Sequence, residues 1–328
     1  MSVVFTLLAC LVCVEPVGED VPALVETLRN EPQVIEVVLL ERPAFDSAGV
    51  RAAATLETFG AGAIEPLEKL LRDESRTVRL NAIRTLGRIG DPTAETALLC
   101  ALDDGDAAVR AATVPFLDTL EDATIRRAVI ALLKDDDDPL VRKHAARRLN
   151  QNYQKELRHR ALNTAAKEML QGLRDSIHDR DPEVRSAVAW ALASFQRSYA
   201  LPQLYEMVSD DTLEVASTAV SALGTFESRE PVPALISLLN DKRPAIVHQA
   251  VNSLAELRDA RTTAKILPFL HSSDEPLRLT TIHALHKIGD RRSDRAVNRT
   301  AEGRRSKRAD RHGRRRSARS TTSARWNR

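Results

Sequence analysis

Val78-Arg79-Leu80-Asn81-Ala82-Ile83-Arg84-Thr85-Leu86-Gly87-Arg88-Ile89-Gly90-Asp91 is the stretch whose reading decides the fold. Leu86 is its anchor. The same leucine returns as Leu56, Leu117, Leu149, Leu192, Leu223, Leu254 and Leu285, and the eight are separated by 30, 31, 32, 43, 31, 31 and 31 residues. Four residues before each stands Ala52, Ala82, Thr113, Ala145, Val188, Ala219, Ala250 or Thr281, all small or β-branched. Three residues after each, seven of the eight positions are apolar: Phe59, Ile89, Leu120, Phe195, Phe226, Leu257 and Ile288, with Asn152 the exception. Offsets of −4, 0 and +3 lie on one face of an α-helix. A fixed period of this length is the signature of a repeat array.

A second helix follows in each copy. It reads Ala63-Ile64-Glu65-Pro66-Leu67 through Leu71 in one, Pro233-Ala234-Leu235-Ile236 through Leu239 in another, and Ile266-Leu267-Pro268-Phe269-Leu270 in a third. Proline near a helix start costs little, because its missing N–H has no partner there. Acidic turns join the copies: Arg72 to Ser75, Asp103 to Asp106, Asp135 to Asp138 and His178 to Asp181. The expected unit is a pair of antiparallel helices of about three turns each, and the expected fold is all-α, a solenoid of about eight such pairs, right-handed and curved. Aromatic residues are 4% of the chain, so the core is aliphatic.

Val78 to Asp91, Val184-Arg185 to Phe195 and Leu277-Arg278 to Asp290 resemble HEAT-like repeats of the short type first noted in phycobilisome lyases. The resemblance covers roughly residues 20–297 and implies the fold more than a function, because the family serves many unrelated roles. It also implies that Arg79, Arg110, Arg142 and Arg185, each with an Asp six residues earlier, form a ladder of ion pairs between stacked turns rather than a stripe for an anionic ligand.

The formal net charge of +2 conceals an asymmetry. Residues 291–328 hold 15 Lys+Arg and 3 Asp+Glu, a balance of +12, leaving 33 against 43, or −10, for the rest. The domain reading is therefore residues 1–18 as a leader or cap, 19–297 as the array with a longer copy at 150–191, and 298–328 as a basic tail of disordered composition. Three readings of the Arg-rich end stay open: a tail for nucleic acid or another polyanion, a tail folding back on the acidic array, and an out-of-frame ending. The apolar run Val3 to Val14 is too short to span a bilayer. It is either a signal-peptide core, giving an exported protein, or a buried helix capping the array of a cytoplasmic one.

The copy between Leu149 and Leu192 is 12 residues longer than its neighbours. Leu157, Ala161, Ala165, Met169 and Leu173 recur every four residues, so its second helix is expected to run on by about three turns, or ~18 Å. Arg158, His159 and Arg160 make that extension basic and a candidate docking spur. A second candidate partner surface lies on the side of the first helices away from the core: Asn81, Arg84 and Arg88, then Arg147 and Arg148, grading into the neutral Ser221 and Asn252 and the acidic Glu256.

Catalytic signals are sparse. The sequence has no G-x-S-x-G, P-loop or H-E-x-x-H. No His is followed by Glu, so the iron-binding dipeptide of the HEAT-like deoxyhypusine hydroxylases is not matched. His283 and His286 share a helix but offer only two metal ligands. Cys10 and Cys13 have metal-ligand spacing without a second pair, and Cys100 falls in an apolar position. No cofactor is called for. The leading function is a non-catalytic scaffold or adaptor that binds a protein partner. Two alternatives are a lyase- or chaperone-like subunit acting on a cofactor-bearing protein, and a nucleic-acid-associated array using the basic tail. Partner identity and oligomeric state are not set by these patterns.

Overall fold

The computed structural model describes residues 20–30, 48–120, 122–151, 163–195 and 198–290. Its helices are α1 (Val21–Arg29), α2 (Ala48–Phe59), α3 (Ile64–Leu70), α4 (Arg76–Ile89), α5 (Pro92–Leu99), α6 (Ala107–Thr113), α7 (Ala123–Asp135), α8 (Pro139–Gln151) and α9 (Thr164–Asp175), followed by α10 (Pro182–Ser194), α11 (Leu201–Met207), α12 (Leu213–Gly224), α13 (Val232–Ser237), α14 (Pro244–Glu256), α15 (Thr263–Ile266) and α16 (Glu275–Ile288). Among the described residues there is no strand, and no helix is long and apolar enough to cross a membrane. The N-terminal leader or cap and the basic tail lie outside the described residues. The chain divides into two compact units, one up to Ser176 and one from Ile177.

In the first unit α2, α4, α6 and α8 stack in sequence, with α3, α5, α7 and α9 as their second helices. In the second unit α10, α12, α14 and α16 stack in the same way, with α11, α13 and α15 behind them. Each of the eight repeat leucines has a relative exposure of 0%. Burying one such side chain contributes about 1.5–3 kcal/mol. The residues at −4 are equally enclosed, from Ala52 at 2% to Thr281 at 0%. Small residues there let successive first helices approach closely. Gly224 shows how closely: a Cβ on it would stand 2.7 Å from the Ser253 Cα on α14. Gly90 and Gly289 close α4 and α16 in the left-handed conformation, at φ 64° and 68°.

Three local expectations are corrected. Most second helices are shorter than three turns: α3 has seven residues, α5 eight, α11 seven, α13 six and α15 four. They finish or begin in tight 3-10 turns, such as Leu267–His271, where Pro268 disfavours further α-helix. The first helix of the third copy, α6, stops at Thr113 because Pro115 interrupts it, and Leu117 reaches the core from a non-helical backbone. The long second helix expected from Tyr153 onward does not run through Asn163. That residue is extended (φ −71°, ψ 174°) and caps α9 by accepting from the Ala166 N–H at 2.8 Å. Residues 152–162 themselves, with Arg158, His159 and Arg160, lie outside the described residues.

Candidate interaction surfaces

Two residues turn an α-helix by about 200°, so positions two before and two after a core leucine point away from the core. Arg84 and Arg147 occupy the −2 position of α4 and α8, and Arg88 the +2 position of α4. Arg88 and Arg147 are exposed and Arg84 is half-buried. Arg88 donates to the Glu57 carboxylate at 3.1 Å. Arg147 makes no ion pair with any described residue. Burial, and then the Arg88 charge, hold the Arg84 guanidinium below its ordinary pKa. Burial also lowers His144 on α8, helped by the charges of Arg147 and Lys143. Like charges are thus crowded at two places on the first unit's outer face.

Asn81 and Arg148 do not belong to that face. They stand five and one before the leucine, on the flanks of their helices, and neighbouring chain covers them. Asn81 is 1% exposed and its amide points to the Leu28 carbonyl of α1 at 3.5 Å. Arg148 is 4% exposed. Its Nε donates to the Leu117 carbonyl at 2.6 Å and its Nη2 to the Asp118 carboxylate. The break at Pro115 strips helical partners from this segment, and buried side chains replace them. Glu95 Oε1 accepts from the Asp118 and Thr119 amides at 2.7 and 3.1 Å, and Arg126 Nη1 donates to the Leu120 carbonyl at 2.9 Å.

The Arg–Asp ladder is present, with its pairing displaced by one copy. Arg79, Arg110 and Arg185 each donate from Nη1 at 2.8 Å to the backbone carbonyl of the Asp six residues earlier. Nε and Nη2 then clamp the carboxylate of the following turn: Asp104 at 2.7 and 3.1 Å, Asp136 at 2.7 and 2.8 Å, Asp210 at 2.7 and 2.9 Å. These guanidinium groups are committed to the fold and have little left for an anionic ligand. In a later copy Val247 holds the ladder position, and the neighbouring His248 places its Nε2 2.8 Å from Asp274.

Burial alone would raise Asp136 and Asp210, but the bonds from Arg110 and Arg185 and from backbone amides outweigh it and hold both below the usual carboxylate range. A depressed folded pKa means stability that is present above the unfolded value of about 3.9 and lost as pH falls through the folded one. Thermal melts are therefore expected to stay flat from neutrality to about pH 5 and to drop below about pH 4. In Asp136→Asn or Asp210→Asn the neutral-pH melting point should fall and the acid drop should shrink.

The second unit carries features that the charge pattern did not disclose. Trp190 occupies the outward −2 position of α10 and is 41% exposed. Tyr199 and Tyr205, beside and on α11, are 58% and 37% exposed, and burial followed by the Glu230 charge raises the Tyr205 hydroxyl. Below them a shallow cleft of about 380 Å³ is lined by His178, Glu206 and Asp211, with the Arg185–Asp210 pair at its wall. His178 Nε2 lies 3.1 Å from Glu206, and both side chains are exposed. Among the described residues no group of three or more His, Cys, Asp or Glu is placed to hold a metal ion. His283 and His286 are both exposed on α16.

Comparison with known proteins accords with this geometry. The family described as HEAT repeats matches residues 37–114, 166–251, 209–286 and 232–302. The chain belongs to the HEAT-repeat family. No curated protein matches it at the level of sequence. Among solved structures it is similar to Escherichia coli YibA, with a TM-score of 0.53 and 16% identity over 80% of this chain and 93% of that one. It is also similar to a chain of the Kap95p–RanGDP complex, with a TM-score of 0.55 and 14% identity over 84% of this chain and 41% of that one. Human deoxyhypusine hydroxylase is matched at a TM-score of 0.34 and 20% identity, over 82% of this chain and 95% of that one. At these identities the likeness to YibA and to the Kap95p–RanGDP chain is one of fold.

Proposed function

We propose that this HEAT-repeat chain is a non-catalytic scaffold whose outer face on α4 and α8 holds an acidic segment of a protein partner. The observation that carries the reading is the grouping of like charges on α4 and α8, with Arg84, Arg88 and Arg147 at the outward positions. Arg84 and Arg88 lie together on one helix, and Lys143, His144 and Arg147 on another; burial first and these like charges second hold Arg84 and His144 below their ordinary pKa values. Such crowding works against the folded state, and an acidic ligand relieves it. The ladder arginines are internally matched and gain nothing from a ligand. At Arg88 a partner carboxylate competes with Glu57.

The test is the affinity for a partner captured from the native cell, measured for the wild type and for Arg84→Glu with Arg147→Glu. Charge reversal is expected to weaken binding about tenfold per site, mostly through slower association and with reduced salt dependence. Undiminished binding would remove the proposal. Binding that survives these substitutions and vanishes when residues 291–328 are deleted would favour the polyanion tail instead.

A further inference from the structure

The last described copy is open on its stacking side. In every earlier copy the residue three before the core leucine is covered by the neighbouring helices: Ala53 is 6% exposed, and Ile83, Val114, Ala146, Ala189, Val220 and Val251 are all at 0%. In α16 that residue is Ile282, and it is only half-buried. Three residues earlier Leu279 is 48% exposed; its equivalents Leu80 and Ala111 are at 4% and 3%, and those of the other five copies are half-buried. Solenoid ends normally carry a polar outer face, because a bare stacking face invites association.

The geometry points to a second copy of this chain as the occupant of that face, with two α16 helices packed antiparallel about a twofold axis. Glu275, Leu279, Ile282 and His286 follow at intervals of four, three and four residues, which sets all four on one stripe of the helix. Around a centre between residues 280 and 281, Leu279 meets the partner's Ile282 and Glu275 meets the partner's His286. The imidazole N–H donates to the carboxylate at each end. The stripe is self-complementary, as a twofold interface requires. Residues 291–299 offer only Ala296 and Val297 as apolar side chains. One helix pair is small beside most specific interfaces, so the association is expected in the micromolar range.

Sedimentation of the full chain from low to high micromolar concentration tests this. A reversible dimer is expected, with association weakened at least about tenfold in Leu279→Glu, whose exposed position leaves helix content unchanged. With Cys10, Cys13 and Cys100 replaced by Ser, oxidation of Glu275→Cys/His286→Cys should give a covalent dimer, and neither single substitution should. The two positions are ~16 Å apart along one helix and cannot bridge within a copy. A monomer throughout the range, or a dimer indifferent to Leu279→Glu, would overturn the inference. Cross-linking by either single variant would overturn the antiparallel register.

Discussion

Leu223→Asp is expected to unfold the second unit at physiological temperature. Leu223 is at 0% exposure, as are Ala219 and Ala222 before it on the same helix. An aspartate there removes a buried isobutyl group and places a carboxylate where no donor can reach it. The cavity alone costs about 3–5 kcal/mol, and the unpaired polar group adds to that. Domain stabilities are about 5–15 kcal/mol, so a loss of this size leaves the unit marginal or unfolded. Far-UV circular dichroism should show reduced helix content and an early melting transition. Arg88→Ala is the matched control. Its bond to Glu57 is exposed, and its loss should change stability by no more than about 0.5 kcal/mol. Equal behaviour of the two variants would mean that the repeat leucine is not the core position.

Arg147→Ala and Arg148→Ala should separate binding from folding in adjacent residues. Arg148 supplies two hydrogen bonds to the segment that Pro115 releases from α6, and its removal leaves the Leu117 carbonyl buried without that donor. The expected loss is about 2–3 kcal/mol, the range for a charged hydrogen bond together with an orphaned buried group. Glu95→Ala should resemble it, since Glu95 accepts the Asp118 and Thr119 amides. Arg147→Ala should leave the melting curve within about 0.5 kcal/mol of wild type while weakening partner binding. Chemical denaturation of the three variants checks the contrast.

The repeat period was enough to reveal the array and both innermost columns, because a helix pair that stacks on copies of itself must repeat what it buries. Local chain direction was less legible. A four-residue recurrence through Leu157 and Leu173 suggested one long helix, yet Asn163 and Thr164 already spelled an N-cap. The second helices were over-read because apolar spacing does not distinguish a two-turn helix with a 3-10 end from a three-turn helix, whereas Pro268 does. The ladder was visible as an Arg with an Asp six residues before it, but that spacing reports a bond to a backbone carbonyl. The carboxylate partner lies one copy further on.

The expected exposure is found at Arg88 and Arg147 and half-met at Arg84, where rotation about one helix decides it, while use of these residues by a partner is the proposal above. Exposure is absent at Asn81 and Arg148. Flank positions are covered or bare according to what packs beside them: α1 over Asn81, and the chain after Pro115 over Arg148. Trp190, Tyr199 and Tyr205 carry no charge, so the charge pattern does not point to them. Trp190 was recoverable, since it is the one aromatic in the outward −2 column.

Hydrogen–deuterium exchange of the full chain, free and saturated with its captured partner, tests the scaffold reading most directly. It predicts new protection in peptides covering residues 84–88 and 143–148, with the second unit's core unchanged. Protection confined to residues 291–328, or to the cleft around His178 and Glu206, with none on α4 and α8, would contradict it.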